Sequence, residues 1–280
     1  MGLSGDGDTD RQMIPIKLRD DAGEIIQAFI SQKAAEAKAS GIVLGMSGGL
    51  DSSLVAHLCV NALGKDKVLG LMMPEKSSNP QDLEHGVMVA KSLGIEHMVV
   101  DISEPFRAFL DAVPKLNSQI VSANVKARCR MIVLYMIANA TDRLVMGCGN
   151  KTEIMVGYFT KYGDGGSDYL PIGDLYKTQV RELSRRVGVD ADIIRKAPSA
   201  GLWEGQTDEG EMGITYKLLD QILYGLETEM PRERIAKEAG CEPSTVESIE
   251  GKIRSSSHKR RLPQMPKIGF RTPGFDWREP

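Results

Sequence analysis

The 280-residue sequence predicts an α/β fold, a Rossmann-like doubly wound parallel sheet with helices on both faces and extra C-terminal helices. Three observations lead to this prediction. Short continuous apolar runs recur through the first half of the chain, as in strands that are buried on both faces. Longer stretches with helical spacing separate these runs, which is typical of βαβ units. The second half changes character and consists of irregular segments and further helical patterns.

The first half contains four predicted strands and five predicted helices. The strands are expected at residues 41–46, 67–73, 95–102 and 142–147. The helices are expected at residues 20–39, 50–63, 82–93, 104–113 and 119–140. Ser78 or Asn79 is a suitable cap for the third helix, because Pro80 follows and favours the first helical turn.

The second half is expected to combine two long irregular stretches with short helices. The irregular stretches are residues 157–174, rich in glycine, and residues 197–213. The helices are expected at residues 177–187, 190–196, 214–226, 231–239 and 243–255. Long loops in a compact domain are usually binding loops or lids. We therefore expect the loops around 74–86 and 199–213 to close over a site.

Composition excludes several classes of function. Charged residues make up 26% of the chain and the net charge is −3, so nothing attracts it globally to nucleic acid or acidic membranes. One basic cluster, SSSHKRR at 255–261, is a weak nucleic-acid footprint by itself. The chain lacks an apolar run of about 18 residues, so no membrane span is expected. Four isolated cysteines favour a reducing cytoplasm and neither a disulfide framework nor a zinc site.

The chain is expected to form one domain with a tail at each end. Residues 1–12 are acidic and glycine-rich, and we expect a disordered tail there instead of a signal peptide. Residues 13–262 are expected to form the α/β domain. Residues 263–280 are expected to form a Pro-rich C-terminal tail.

The stretch LGMSGGLDSSLVAHL, residues 44–58, has the properties of an anion site. It joins the end of the first strand to a helix, where free N–H groups and the helix dipole converge. A P-loop lysine is missing, and Asp51 would repel a phosphate unless a cation such as Mg²⁺ lay between them. The pattern therefore favours a phosphate site that uses Mg²⁺. The structural alternative is that Ser47 caps the helix and Asp51 complements its dipole.

A second set of polar residues follows the fourth strand. If strands one and four are neighbours, the loop at 147–178 faces the glycine-rich loop. The strand order would reverse between them, and ligands of open α/β sheets bind at such a point. This loop carries Glu153, Lys161, Asp168 and Lys177. Glu153 is a possible second carboxylate for Mg²⁺. As alternatives, Glu153 and Lys177 could simply be solvated residues in the first turns of helices.

Several segments carry a family resemblance. SGGLDSS resembles the SGGxDS signature of the ATP pyrophosphatases, which split ATP into AMP and pyrophosphate. The loop after the fourth strand resembles bacterial ammonia-dependent NAD synthetases more specifically. The segments that carry this closer resemblance are GNKTE, GYFTKYGDGGSD, PIGDLYKTQV, NVKARCRM, KAPSAGLWEGQTDE and SSHKRR, and together they extend over about residues 20–262.

This resemblance implies a fold, a reaction and an assembly. The fold is the adenine nucleotide alpha hydrolase-like variant of the Rossmann-like sheet. The implied enzyme is a ligase that amidates deamido-NAD with ammonia through an acyl adenylate, with ATP as co-substrate and Mg²⁺ as cofactor, giving NAD, AMP and pyrophosphate. A homodimer with active sites at the subunit interface is also implied, with the helix at 119–140 as a candidate interface element. Neither a nucleic acid nor a membrane is an expected partner.

The resemblance also implies residue roles. Metal ligands would be Asp51 and Glu153. The catalytic groups would be Lys161 and Lys177, which stabilise charge, and Asp168, which orients the substrate or acts as a base for ammonium. ATP would contact Gly45, Met46, Ser47, Gly48, Gly49, Leu50, Asp51, Ser52, Ser53, Cys148, Lys177 and Ser199. Deamido-NAD would contact Arg128, Lys161, Asp168, His258 and Lys259.

Two of these assignments have a specific reservation. Many family members have threonine where this chain has Cys148, and a thiol is a poorer hydrogen-bond donor. Cys148 could therefore contribute only backbone contact or packing. Arg128 lies on a predicted helix whose apolar face includes Val125 and Ile132, so a solvated position is its structural alternative.

Other functions remain open from the sequence. One is a different adenylating ligase, such as a GMP-synthetase-like or tRNA-modifying enzyme, which would share SGGxDS but not the TKYGDGG segment. Another is a nucleotide sensor that binds ATP without turnover. Because the sequence offers no second amidase domain, direct use of ammonia is expected, and a separate glutaminase partner stays possible.

Overall fold

A computed structural model describes residues 14–116, 118–203 and 205–272 of the chain. The predicted N-terminal tail, residues 1–12, lies outside these residues, as does the end of the predicted C-terminal tail. From residue 262 to residue 272 the chain has neither helix nor strand. The division into one domain and two tails therefore stays a prediction.

The described part of the chain contains four strands and twelve α-helices. The strands are β1 (Gly41–Gly45), β2 (Val68–Met72), β3 (Glu96–Val99) and β4 (Arg143–Met146). The helices are α1 (Ala22–Glu36), α2 (Leu50–Leu63), α3 (Pro80–Leu93), α4 (Ser103–Ala112), α5 (Gln119–Thr141), α6 (Lys151–Val156), α7 (Lys177–Val187), α8 (Ala191–Arg195), α9 (Asp208–Met212), α10 (Tyr216–Glu227), α11 (Arg232–Ala239) and α12 (Pro243–Ser255).

The strands form one parallel sheet in the order β3-β2-β1-β4. Val43 in β1 stands opposite Leu69 in β2 and Val145 in β4. The chain runs from β1 to β3 on one side and then returns to add β4 on the other. The strand order therefore reverses between β1 and β4, and the condition set in the sequence analysis, that these two strands are neighbours, is met.

Both faces of the sheet are buried, as the predicted doubly wound fold requires. Ile42 and Leu44 belong to a core cluster that includes residues of α1, α2 and α7. Val43, between them in β1, belongs to a second cluster that includes Cys129 and Val133 of α5. Because successive side chains of a strand point to opposite faces, each face of β1 has its own helical layer.

The C-terminal helices form a third core beside the sheet. Leu219 of α10, Ile235 of α11 and Val246 of α12 are buried together there. Helix α10 also packs on α6 and α7, the two helices on either side of the irregular segment 157–176. The C-terminal helices therefore support the segment 147–178, in which the sequence analysis placed the second set of polar site residues.

The structure corrects three details of the sequence prediction. The predicted loop after β4 contains α6, and the predicted irregular stretch 197–213 contains α9. Both helices have fewer than two turns, which is too short for a hydrophobic period to be visible. The third strand is shorter than 95–102, and as an edge strand it leaves Met98 and Val99 exposed. Asn79, one of the two proposed caps, caps α3.

None of the helices in the described ranges combines the length and the apolar character that crossing a bilayer requires.

Candidate active site

A cavity of about 480 Å³ lies at the carboxyl ends of β1 and β4. Its walls come from the loop after β1, the loop after β2, one face of α5, the start of α6 and the segment 196–211. This is the point where the strand order reverses, which is the usual ligand site of an open α/β sheet. The position is therefore the one expected from the sequence.

The glycine-rich loop forms one wall of this cavity. Gly48 has a φ of +70°, and a Cβ atom there would lie 2.1 Å from the Asp82 carbonyl oxygen, so only glycine fits. The hydroxyls of Ser52 and Ser53 both donate to the Gly49 carbonyl oxygen, at 3.1 and 2.8 Å. Gly49 is the N-cap of α2 and no side chain caps this helix. The alternative in which Ser47 caps α2 is therefore wrong, and the helix start remains available to an anion.

Two carboxylates converge on one buried lysine beside this loop. The Lys177 Nζ atom donates to Asp51 Oδ2 at 2.5 Å and to Glu153 Oε1 at 3.3 Å. Lys177 is only 2% exposed. Asn150 joins the two acids, since its Nδ2 donates to Asp51 Oδ1 at 3.0 Å while its side chain caps α6 next to Glu153. Lys177, Asp51, Glu153 and Asn150 are called the inner cluster below.

The inner cluster has perturbed protonation equilibria. Burial raises the pKa of Glu153 to about 7; the Asp51 and Asp208 carboxylates add to the rise and the Lys177 ammonium opposes it. For Lys177, burial lowers the pKa, but the Asp51 and Glu153 carboxylates outweigh burial and raise it above its usual value. The lysine is therefore held as an ammonium ion inside the protein.

The donor set of the inner cluster suits Mg²⁺ shared with a substrate. Asp51 and Glu153 supply carboxylate oxygens that already converge on a cation, the Lys177 ammonium. Across the described ranges, no group of three or more acidic, histidine or cysteine side chains is arranged to hold a metal. Mg²⁺ commonly takes one or two protein carboxylates and completes its shell with phosphate oxygens and water. The residues present therefore fit a metal that arrives with a phosphorylated ligand.

Residues that the sequence prediction missed hold the inner cluster in place. Tyr216, 3% exposed, donates from its hydroxyl to Asp208 at 3.0 Å and to Glu153 at 3.3 Å. Thr152 accepts from the Lys177 backbone N–H at 2.9 Å. Asn150 had a local signal, since Asn followed three residues later by Glu is a helix-start pattern. Asp208 lies in the resemblance segment KAPSAGLWEGQTDE but was given no role, and Tyr216 lies outside all of these segments.

Residues of both segments that were predicted to close over the site line the cavity, and lysines tie these segments to their surroundings. Closure itself stays a prediction. The buried Lys126 of α5 pairs with Glu75 at 2.7 Å and donates to the Leu202 carbonyl at 2.9 Å. Lys196 pairs with Asp82 at 2.5 Å and donates to the Gly48 carbonyl at 3.2 Å. These two lysines connect the loop after β2, the segment 196–203 and the glycine-rich loop.

Several other residues with predicted roles line the cavity. Ser199 and Lys259 do so, as does Cys148. The Cys148 Sγ atom lies 3.9 Å from the Gly45 carbonyl oxygen, and burial raises the pKa of this thiol above its usual value. The side chain is therefore a neutral, weakly donating group that packs against the end of β1.

The other predicted residues lie outside the cavity lining, among them Gly48 and Ser53 of the glycine-rich loop. Arg128, Asp168 and His258 are exposed, and Lys161 is half-buried. The Lys161 ammonium donates to the His258 carbonyl at 2.7 Å, and Arg128 donates to the Lys161 carbonyl at 3.3 Å. Asp168 accepts from the Val145 N–H at 2.7 Å and from the Tyr135 hydroxyl at 3.0 Å. Arg128, Lys161, Asp168 and His258 are called the rim set below.

Helical geometry explains the position of Arg128. The face of α5 that lines the cavity includes Ala123, Ala127, Arg130 and Leu134, spaced by three and four residues. Arg128 lies two residues from Arg130, which is about 200° around the helix axis. Arg128 therefore faces outward, together with the exposed Ile132 and Met136.

The chain is similar to known proteins along most of its length. The family model described as NAD synthase matches residues 23–263. The NH(3)-dependent NAD(+) synthetase of Methanocaldococcus jannaschii is 50% identical over 246 residues, which cover 87% of this chain and 95% of the relative. That of Methanococcus aeolicus is 54% identical over 211 residues, covering 74% of this chain and 83% of the relative. The resemblance thus extends to archaeal proteins as well as the bacterial enzymes.

Solved structures agree with these relatives. An NMN synthetase from Francisella tularensis has a TM-score of 0.81 and 34% identity, covering 90% of this chain and 100% of that chain. An NH3-dependent NAD synthetase from Campylobacter jejuni, in complex with nitrate, has a TM-score of 0.77 and 29% identity with the same two coverages.

Proposed function

The chain belongs to the NAD synthase family, and we propose that it amidates deamido-NAD with ammonia at the expense of ATP. The products are NAD, AMP and pyrophosphate. The observation that carries this proposal is the inner cluster, in which Asp51 and Glu153 converge on Lys177 beside an uncapped helix start. Such a site suits the α- to β-phosphate region of ATP, because it offers one fixed cation, N–H donors and two metal-binding carboxylates.

The reaction needs activation of a carboxylate. An oxygen of the nicotinate carboxylate attacks the α-phosphorus of ATP, and the bond to the bridging oxygen breaks to release pyrophosphate. The acyl adenylate then reacts with ammonia at its carbonyl carbon. AMP leaves with the electron pair of the broken C–O bond, and the nitrogen releases one proton to give the neutral amide. A protein nucleophile is not required at either step.

The residues of this chain contribute electrostatics and positioning. Lys177 is charged and buried before the substrate arrives, so its contribution to transition-state stabilisation needs little reorganisation. The serines and the helix start of the glycine-rich loop orient phosphate oxygens. The loops tied by Lys126 and Lys196 keep water from the adenylate.

Mg²⁺ is part of the proposal. Asp51 and Glu153 would hold it, and when bound it would neutralise charge on the leaving pyrophosphate. Asn150 and Tyr216 would fix the two carboxylates from outside the coordination shell.

We also propose a homodimer with the rim set at its interface. The outward face of α5 combines Arg128 with two exposed apolar residues, Ile132 at 50% and Met136 at 60% exposure. Asp168 accepts from Tyr135 next to this face. A second copy seated on α5 would bury the apolar residues and bring the rim set against a bound dinucleotide.

We also propose a cytoplasmic location, which the four free cysteines support.

The test is a turnover assay with ATP, Mg²⁺ and deamido-NAD, with either ammonium or glutamine added. The expected result is NAD, AMP and pyrophosphate with ammonium and little NAD with glutamine. ADP as product, or no NAD with either donor, would refute the proposal.

A parallel assay addresses the choice of substrate. Because one similar structure is an NMN synthetase, the acid form of nicotinamide mononucleotide is the informative competitor. We expect a higher kcat/KM for deamido-NAD. A preference for the mononucleotide would leave the assigned reaction, ATP-dependent amidation of a nicotinate carboxylate, unchanged. It would change only the assigned substrate.

A further inference from the structure

Four cationic side chains of the described residues line the cavity, and three of them have strong partners. Lys177 pairs with Asp51 and Glu153. Lys196 pairs with Asp82. Among the described residues Lys259 has no carboxylate within 4.0 Å, but its ammonium donates to the carbonyls of Gly157 and Phe159, both at 2.8 Å. The fourth cation, Arg130, was given no role by the sequence motifs.

The Arg130 guanidinium is fixed through its Nε atom, and its two terminal nitrogens differ from Nε in their partners. Its Nε donates to the Met73 carbonyl oxygen at 3.1 Å, which anchors the guanidinium at the carboxyl end of β2. Within the described part of the chain, its two terminal nitrogens have no other hydrogen bond and no carboxylate oxygen within 4.0 Å. Since a guanidinium has five N–H donors, four remain available to a ligand.

The acids around Arg130 are engaged elsewhere. Burial lowers the pKa of the Arg130 guanidinium below its usual value, and the charges of Glu75, Asp82 and Asp164 oppose this shift. Glu75 is paired with Lys126, and Asp82 with Lys196. Asp164 accepts from the Thr160 N–H at 2.9 Å. The field of these carboxylates favours a charged guanidinium, while none of them occupies its free donors.

We propose that Arg130 forms an anion subsite of the cavity, in which its two terminal nitrogens bind neighbouring oxygens of a substrate phosphate or carboxylate. The fork geometry of arginine suits such an oxygen pair. Two sources share this chemistry: the phosphates of ATP, and the nicotinate carboxylate or pyrophosphate of deamido-NAD. The identity of these ligands rests on the proposed function, whereas the geometry of the subsite is independent of it.

The test compares Arg130→Met with Arg130→Lys in the full-length protein. Calorimetry measures the binding of pyrophosphate, ATP and deamido-NAD separately, and steady-state assays give KM for each substrate. Arg130→Met should weaken at least one ligand by about ten- to a hundredfold, the size expected for a charge-assisted hydrogen bond. Arg130→Lys, which keeps the charge, should restore part of the loss.

The outcomes identify the source of the anion. Weaker binding of ATP and pyrophosphate places the subsite at the triphosphate, and weaker binding of deamido-NAD alone places it at the nicotinate substrate. Unchanged binding of all three in Arg130→Met, or a lowered Tm with unchanged binding, would overturn the proposal. A wild-type protein that binds none of the three would overturn it as well.

One control variant and one comparison complete the design. Arg107→Met removes an exposed arginine on α4 that pairs with Glu104 and does not line the cavity, so it should leave binding unchanged. Because calorimetry with pyrophosphate needs no turnover, a failure of NAD synthesis in the wild type is visible separately from a failure of the subsite.

Discussion

The inner cluster and the rim set carry the predicted functional residues in two different physical states. In the inner cluster, Lys177 is 2% exposed and both of its carboxylate partners come from the same chain. In the rim set, Arg128 and His258 are exposed, and the charged group of Lys161 has a backbone carbonyl as its partner. One part of the predicted site is therefore buried and paired within this chain, and the other part is solvent-exposed.

Desolvation explains this difference. A buried charge is tolerated only when partners are already in place, so the inner cluster must be organised before any ligand binds. An exposed charge is solvated and interacts weakly with its neighbours. The rim set therefore needs no fixed partners before a substrate or a second subunit binds. Inner-cluster variants should therefore affect the chemical step, and rim variants should affect substrate binding or assembly.

The largest effect is expected from Asp51→Asn. The amide keeps the size of the side chain and removes the charge that a metal and Lys177 require, so kcat should fall by about 10²- to 10³-fold. Pyrophosphate release and NAD formation measure this loss, and a cooperative thermal transition checks that the variant is folded. Unchanged turnover would mean that Asp51 has no role in the chemical step.

The next largest effect is expected from Met136→Asp on the outward face of α5. If a second copy covers this face, an unpaired carboxylate in the interface should raise the dimer Kd by about a hundredfold. Sedimentation velocity measures the change, and activity should fall at low protein concentration if the sites are interfacial. A wild-type protein that sediments as a 30.6 kDa monomer at micromolar concentration would contradict the dimer.

A smaller effect is expected from Lys161→Met in the rim set. Loss of one charge-assisted contact should raise KM for deamido-NAD by about tenfold and leave KM for ATP and the thermal stability nearly unchanged. Lys237→Met on α11, an exposed lysine outside the cavity lining, is the matched control. A loss confined to kcat would move Lys161 from substrate binding to the chemical step.

The smallest effect is expected from pH. In the metal-free protein, burial raises the pKa of Glu153 to about 7, so the native state retains a proton that the unfolded state loses near 4.5. The contribution of Glu153 to stability is present below this lower value and is lost as the pH rises through about 7. Relative to wild type, the Tm of Glu153→Gln should therefore rise from about pH 4.5 to about pH 7 and level off above that. A difference that stays constant with pH would contradict the burial of this carboxylate.

The sequence determined the architecture and the class of chemistry because their signals are local. The predicted helices at 50–63 and 177–187 match α2 and α7, since each follows a turn and has a clear helical pattern. The glycine-rich loop and the resemblance of the loop after β4 also depend on short segments, whereas the strand order became known only from the structure. The cap at Asn150 also has a local signal in the spacing of GNKTE, although the sequence prediction did not use it.

Only the tertiary structure decided which charged groups work together. Asn150 and Lys177 lie 99 and 126 residues from the aspartate that they contact, and local patterns carry no information about such pairs. The same holds for Arg128 and Arg130, two neighbouring arginines of one helix. The motif drew attention to Arg128, but the packing of α5 on the sheet turned Arg130 toward the cavity. Burial depends on the whole fold, and burial determines whether a charge is paired, solvated or free to bind a ligand.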